Sequence, residues 1–115
     1  MLGDISAERD WGHAKDYVYG MWLSLNAKEP SDYIFCTGVL HSIEEVLDIA
    51  FSTLDLEWKK YVQTDESMFR PIEPVHLVGN FSKAKKELGW QPTISFDALI
   101  KEMVLSDFNL LKVNN

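Results

Sequence analysis

This sequence is short of several things, and each shortage removes a class of function. It has one cysteine, Cys36, so no internal disulfide can form and a thiolate-based metal site is disfavoured. The apolar neighbours Ile34 and Phe35 mark that thiol as buried and inert. Cations are few: 11 Lys and Arg face 18 Asp and Glu, a formal net charge of −7. That balance argues against a nucleic acid or an anionic membrane as partner, since both need a cationic face. It leaves room for one small phosphorylated ligand, which needs only local cations. No apolar run approaches the length of a membrane-spanning helix. The N-terminal Met1-Leu2-Gly3-Asp4 lacks the basic-then-apolar pattern of a secretion signal, so a cytoplasmic location is expected.

Familiar catalytic signatures are also missing. Gly38 and Gly79 stand alone, with no glycine-rich nucleotide loop around them. There is no Ser–His–acid signature. Nor is there a Tyr-x-x-x-Lys pair: Tyr17 is followed four residues on by Met21, and Tyr61 by Asp65. His13, His41 and His76 are too scattered to suggest a metal site. Glu44, Asp48 and Glu102 fall on polar helix faces, and Lys83, Lys85 and Lys86 read as a solvated basic face.

What is present suits one soluble α/β domain: 115 residues, 46% apolar and 25% charged. The chain is organised around Arg9-Asp10-Trp11-Gly12-His13-Ala14, which runs into an amphipathic helix. Asp10 is the expected N-cap. Ala14, Tyr17, Val18, Met21, Trp22 and Leu25 recur at helical spacing, giving one apolar face, and Pro30 marks the end. Tyr33-Ile34-Phe35-Cys36 reads as a short strand buried on both faces. Ser42 and Glu45 have capping-box spacing and open a second helix with Ile43, Val46, Leu47, Ala50, Phe51 and Leu54 on its inner face.

Leu56 to Tyr61 can hold one more helical turn, Tyr61-Val62-Gln63 a brief strand, and Asp65 to Phe69 a loop. Arg70-Pro71-Ile72-Glu73-Pro74 must be extended, because each proline restricts the residue before it. Asn80 or Ser82 caps a short helix over Lys83 to Leu88 that Gly89 ends. Ser95 caps the last helix, with Phe96, Leu99, Ile100, Met103 and Val104 inward, and the tail from Lys112 is expected to fray. The reading is α/β, with about four helices and two or three short strands. A buried-type strand needs neighbours this chain lacks, so it reads as part of a larger α/β protein.

Two places carry candidate chemistry. Arg9 beside a helix start can hold an anion through its guanidinium fork. Arg70 and Glu73 sit in a proline-braced stretch. Two arginines can grip a diphosphate, and a carboxylate can accept two ribose hydroxyls. Two surface ion pairs, Arg9 with Asp10 and Arg70 with Glu73, would explain the same residues.

At Arg9 to Val18 the chain resembles the GDP-mannose 4,6-dehydratase family, a branch of the extended short-chain dehydrogenases/reductases with a Rossmann-type fold. Arg70-Pro71-Ile72-Glu73 resembles that family's Arg-Pro-x-Glu. Ser82-Lys83-Ala84-Lys85-Lys86-Glu87-Leu88-Gly89-Trp90 resembles a stretch shared by many nucleotide-sugar enzymes. The likeness covers essentially all of this chain but only the C-terminal, substrate-binding portion of the family's. It implies that Arg9 and Arg70 bind the diphosphate of GDP-mannose and Glu73 the ribose. It implies an NADP-dependent dehydration whose cofactor domain and catalytic residues lie upstream, so this chain would hold no cofactor and be inactive alone. Where the family tends to have Asn, Asp4 stands here.

Met21, Trp22, Ile34 and Phe35 would then expose apolar surface, and self-association into a homo-oligomer is expected. Two other readings remain. One is a stand-alone, non-catalytic assembly or interaction domain; the other is part of a dehydratase or epimerase for another nucleotide sugar.

Overall fold

A computed structural model describes residues 1–69 and 77–113. The described elements run β1 (Glu8–Asp10), α1 (Ala14–Leu25), β2 (Leu40–Ser42), α2 (Ile43–Thr53), α3 (Ser82–Leu88) and α4 (Phe96–Val113), with single 3-10 turns at Trp58–Lys60 and Glu66–Met68. β1 and β2 form a two-stranded sheet. The expected α/β class and four helices are found. The strands are not where the apolar run placed them. Among the described residues Tyr33 to Cys36 forms no ladder and pairs with no strand. Nor is it buried on both faces: Phe35 meets the Trp90 ring edge-on at 5.0 Å and Cys36 is buried, but Ile34 is exposed. Tyr61 to Gln63 is likewise no strand; a single parallel bridge joins Leu2 to Thr64.

The chain divides into two compact units. One comprises Met1–Glu8, His41–His76 and Asp97–Asn115; the other comprises Arg9–Leu40 and Leu77–Phe96.

In the first unit α2 forms as its sequence dictates. The Ser42 hydroxyl accepts from the Glu45 amide, and the Ile43 and Glu44 amides donate to Ala7 and Ile5 carbonyls at 3.1 and 2.9 Å. Three of the helix's orphan N–H groups are thereby satisfied. The second half of the capping box does not form, because the Glu45 carboxylate turns to His41 Nδ1, 2.5 Å away. Leu47 is buried, as are Leu99 and Ile100 of α4. The Trp58 indole donates to Asp48, and Phe51 stacks on Tyr61. Met103, expected inward, is exposed, and α4 continues to Val113 where fraying was expected.

The second unit holds α1 and α3 around Trp90, which is 1% exposed. α3 begins beside Asn80, whose side chain accepts from the Ser82 amide and hydroxyl, and Gly89 ends it in the left-handed conformation at φ 69°. α1 overturns one expectation, its cap, and bears out another, the exposure of Met21 and Trp22. Its N-cap is His13, whose Nδ1 accepts from the Lys15 amide at 3.0 Å; Asp10 lies back in β1. The inward stripe of α1 is His13, Asp16, Tyr17, Gly20, Leu23 and Ser24, while Val18, Met21, Trp22 and Leu25 are each more than half exposed. Helical spacing announces an apolar face but not what covers it. Here small and polar residues win the inside, because Asp16 carries three hydrogen bonds and Gly20 lets an aromatic ring close in.

Gly20 makes a checkable point. A Cβ there would lie 2.7 Å from the Phe35 ring. Ala is worth about 1 kcal/mol over Gly in a helix interior, but overpacking costs about 1–3 kcal/mol. Gly20→Ala is therefore expected to lower stability by about 1 kcal/mol in urea unfolding. A gain would mean that the ring moves aside freely.

Candidate functional site

The candidate site starts from β1. Arg9 is its central residue and is exposed. Successive side chains of a strand point to opposite faces, and Asp10, next along, is half-buried. Its carboxylate accepts from the Thr37 amide at 2.9 Å, the Thr37 hydroxyl at 2.5 Å, the Gly38 amide at 2.9 Å and the Gly79 amide at 3.3 Å. Burial pushes its pKa upward, but the Thr37, Gly38 and Gly79 donors outweigh that and hold it below the ordinary carboxylate value. Asp10 thus stays ionised and joins β1 to two other stretches of its unit.

Near this carboxylate two groups, Tyr17 and Cys36, are favoured in their neutral forms. Burial, then the charges of Asp10, Cys36 and Asp16, raises the Tyr17 hydroxyl above its usual value. Burial and Asp10 likewise raise the Cys36 thiol, against one lowering hydrogen bond with Gly38. A protonated, buried thiol is a poor nucleophile, which agrees with the inert character read from its neighbours.

Lys83 is exposed, as are Lys85 and Lys86, but it also makes specific contacts. Its ammonium donates to the Ser31 hydroxyl at 2.5 Å and the Asp32 carbonyl at 2.7 Å, and lies 4.8 Å from the Tyr33 ring centroid. It fastens the 31–33 segment to α3. Asp4 is also locally engaged: its carboxylate accepts from the Ser6 hydroxyl and amide, which keep its pKa low.

Of the three residues singled out in the sequence, the structure places Arg9. Arg70 and Glu73 lie outside the described residues. Among the described residues no group of three His, Cys, Asp or Glu could hold a metal, and no helix is long and apolar enough to cross a membrane. Dinucleotide binding needs a glycine-rich turn opening a helix, whereas the turns into α1 and α2 read Trp11-Gly12-His13 and Leu40-His41-Ser42. At the first of these, a Cβ on Gly12 would run into the Tyr17 hydroxyl. Neither stretch is a glycine-rich dinucleotide loop.

Sequence reasoning missed the clamp on Asp10. Its partners lie 27, 28 and 69 residues away, and the nearby hint, a Thr-Gly pair at 37–38, is common in turns.

Residues 1–103 match the sequence profile of GDP-mannose 4,6 dehydratase. The chain is 49% identical over 111 residues to GDP-mannose 4,6 dehydratase 2 of Arabidopsis thaliana, covering 96% of this chain and 30% of that one. To the Homo sapiens GDP-mannose 4,6 dehydratase it is 38% identical over 130 aligned residues, covering 98% and 35%. The chain therefore spans about a third of the length of these curated relatives. Among solved structures, RMD from Pseudomonas aeruginosa complexed with NADPH matches with a TM-score of 0.76 at 20% identity, over 90% of this chain and 34% of that one. dTDP-glucose 4,6-dehydratase from Bacillus anthracis in complex with NAD matches with a TM-score of 0.79 at 21% identity, over 94% and 33%. At such identities these structures speak for the fold alone.

Proposed function

The chain belongs to the GDP-mannose 4,6 dehydratase family, and we propose that it is the GDP-sugar-holding part of such an enzyme. The observation that carries this reading is the family match through Arg9, on a strand that turns Arg9 outward while Asp10 anchors the backbone behind it. In this reading Arg9 and Arg70 form charge-assisted, forked hydrogen bonds to the diphosphate of GDP-mannose. Glu73 accepts the ribose hydroxyls. The reaction of the whole enzyme is dehydration to the 4-keto-6-deoxy sugar, with the hydride chemistry supplied by NADP bound outside this chain. The chain alone turns over no substrate. Its setting is cytoplasmic.

Calorimetric titration tests the assignment. GDP-mannose is expected to bind and UDP-glucose to give no heat. Hydrogen bonds to charged groups contribute about 1.5–3 kcal/mol, so Arg9→Ala should weaken GDP-mannose at least about tenfold. Binding unchanged by Arg9→Ala would remove Arg9 from the site.

The outward face of α1 favours a second reading, an assembly module. Val18, Met21, Trp22 and Leu25 form an exposed stripe, and Tyr17 to Leu25 carries no charge. Such a stripe suits a second copy of the chain, because it escapes the repulsion of two bodies of net charge −7. Light scattering is expected to show a dimer that Trp22→Glu returns to monomer with no loss of stability. A wild-type chain that stays monomeric at high concentration removes this reading. Retained GDP-mannose binding separates it from the first.

A further inference from the structure

Asp10 does more than hold its own strand, and it is the next residue after Arg9 in β1. Its two oxygens accept four hydrogen bonds, which uses the roughly four acceptor sites of a carboxylate. It therefore has no acceptor capacity to offer a ligand hydroxyl. The donors come from two stretches distant in sequence, the Thr37-Gly38 turn and Gly79. Gly79 is packed tightly, since a Cβ on it would collide with the Cys36 side chain. The inward residue of β1 is thus fixed on three sides within its unit. The residue before it, Arg9, is exposed, as is Glu8. On a strand Arg9 and Asp10 share one peptide plane and point to opposite faces. Fixing the Asp10 carboxylate therefore fixes the direction in which the Arg9 side chain leaves the backbone.

We propose that Asp10 is a positioning residue for nucleotide-sugar binding: clamped by Thr37, Gly38 and Gly79, it aims Arg9 at the ligand's diphosphate without touching the ligand. The inference rests on the substrate-binding reading above and goes beyond it by assigning a role to a residue outside the contact set. A guanidinium fork bonds a phosphate only in a narrow geometry, so a strand free to rotate loses the paired hydrogen bonds even with the arginine intact.

A double-mutant cycle on GDP-mannose affinity, read by calorimetry, tests it. Asp10→Asn replaces one acceptor oxygen by an NH2 group that faces backbone donors. It is expected to weaken GDP-mannose about tenfold in the wild-type background and to have little further effect in the Arg9→Ala background. Coupling of that size is usual for residues acting together. A merely structural role would weaken both backgrounds alike, and that result overturns the proposal. So does an Asp10→Asn protein that binds as wild type while Arg9→Ala does not, which leaves the substrate-binding reading standing. If the wild-type chain takes up no GDP-mannose, the reading itself falls and the positioning role with it. Should Asp10→Asn fail to show a cooperative melt, Thr37→Val, which removes only the hydroxyl donor, takes its place in the cycle with the same expected pattern and a smaller loss.

Discussion

Trp90→Ala is expected to destabilise the chain by about 3–5 kcal/mol. Its indole is 1% exposed and sits among three aromatic rings. Phe35 and Phe81 meet it edge-on at 5.0 and 5.7 Å, and Tyr17 stacks at 6.4 Å. The indole N–H donates to the Asp16 carbonyl at 2.8 Å, so one side chain ties α1 to the segment after α3. Natural domains are stable by about 5–15 kcal/mol in total, so this single truncation removes a large share. Urea unfolding followed by circular dichroism should show a midpoint well below wild type, or no folded baseline at all. A loss under about 1 kcal/mol would mean that the aromatic cluster is not the core of its unit. Trp90→Phe separates the two contributions, because it keeps most of the packing and deletes only the hydrogen bond, at a cost of about 1 kcal/mol plus some cavity.

Asp16→Ala carries the second large effect. The carboxylate is buried and accepts from the Thr93 amide at 3.0 Å, the Thr93 hydroxyl at 2.6 Å and the Ile94 amide at 3.1 Å. Deleting it removes three hydrogen bonds to a charged group, whose donors sit on the exposed Thr93 and the half-buried Ile94, an expected loss of roughly 1.5–3 kcal/mol. Burial pushes the Asp16 pKa up, but the Thr93 and Ile94 donors and His13 more than offset this and hold it below the ordinary value. A carboxylate depressed in the folded state stabilises it fully above its unfolded pKa of about 4, and that stability is lost as pH falls through the lower folded value. Stability should therefore be level from neutral pH down to about 5 and fall below about 4. Asp10 adds to the same acid slope, since it too is depressed. Asp16→Ala should flatten part of this slope; an unchanged acid limb would place the acid sensitivity elsewhere.

The local signals in the sequence proved the readable ones. Ser42 at the start of α2 and Gly89 at the end of α3 act through neighbours two to four residues away, so the sequence contains both partners. The misreadings share one cause, which is distance along the chain. Asp10 has the chemistry of an N-cap, yet its donors come from Thr37, Gly38 and Gly79, and His13 caps α1 instead. The apolar stripe of α1 was visible as a stripe, and the exposure of Met21 and Trp22 was expected; that Asp16 and Gly20 would hold the opposite face was not, because periodicity cannot report what they meet there. Tyr33 to Cys36 has strand composition and, among the described residues, no partner strand. Of the candidate site, Arg9 could be chosen from the sequence, while the clamp behind it required the fold; Arg70 and Glu73 rest on the resemblance.

The central claim, that this chain carries a GDP-sugar site of its own, is tested most directly by a two-dimensional amide NMR titration with GDP-mannose, with UDP-glucose as control. The account predicts a dispersed spectrum in which the amides of Arg9, Arg70 and Glu73 shift with the GDP sugar and not with the UDP sugar. A dispersed spectrum in which no amide moves with GDP-mannose would contradict it.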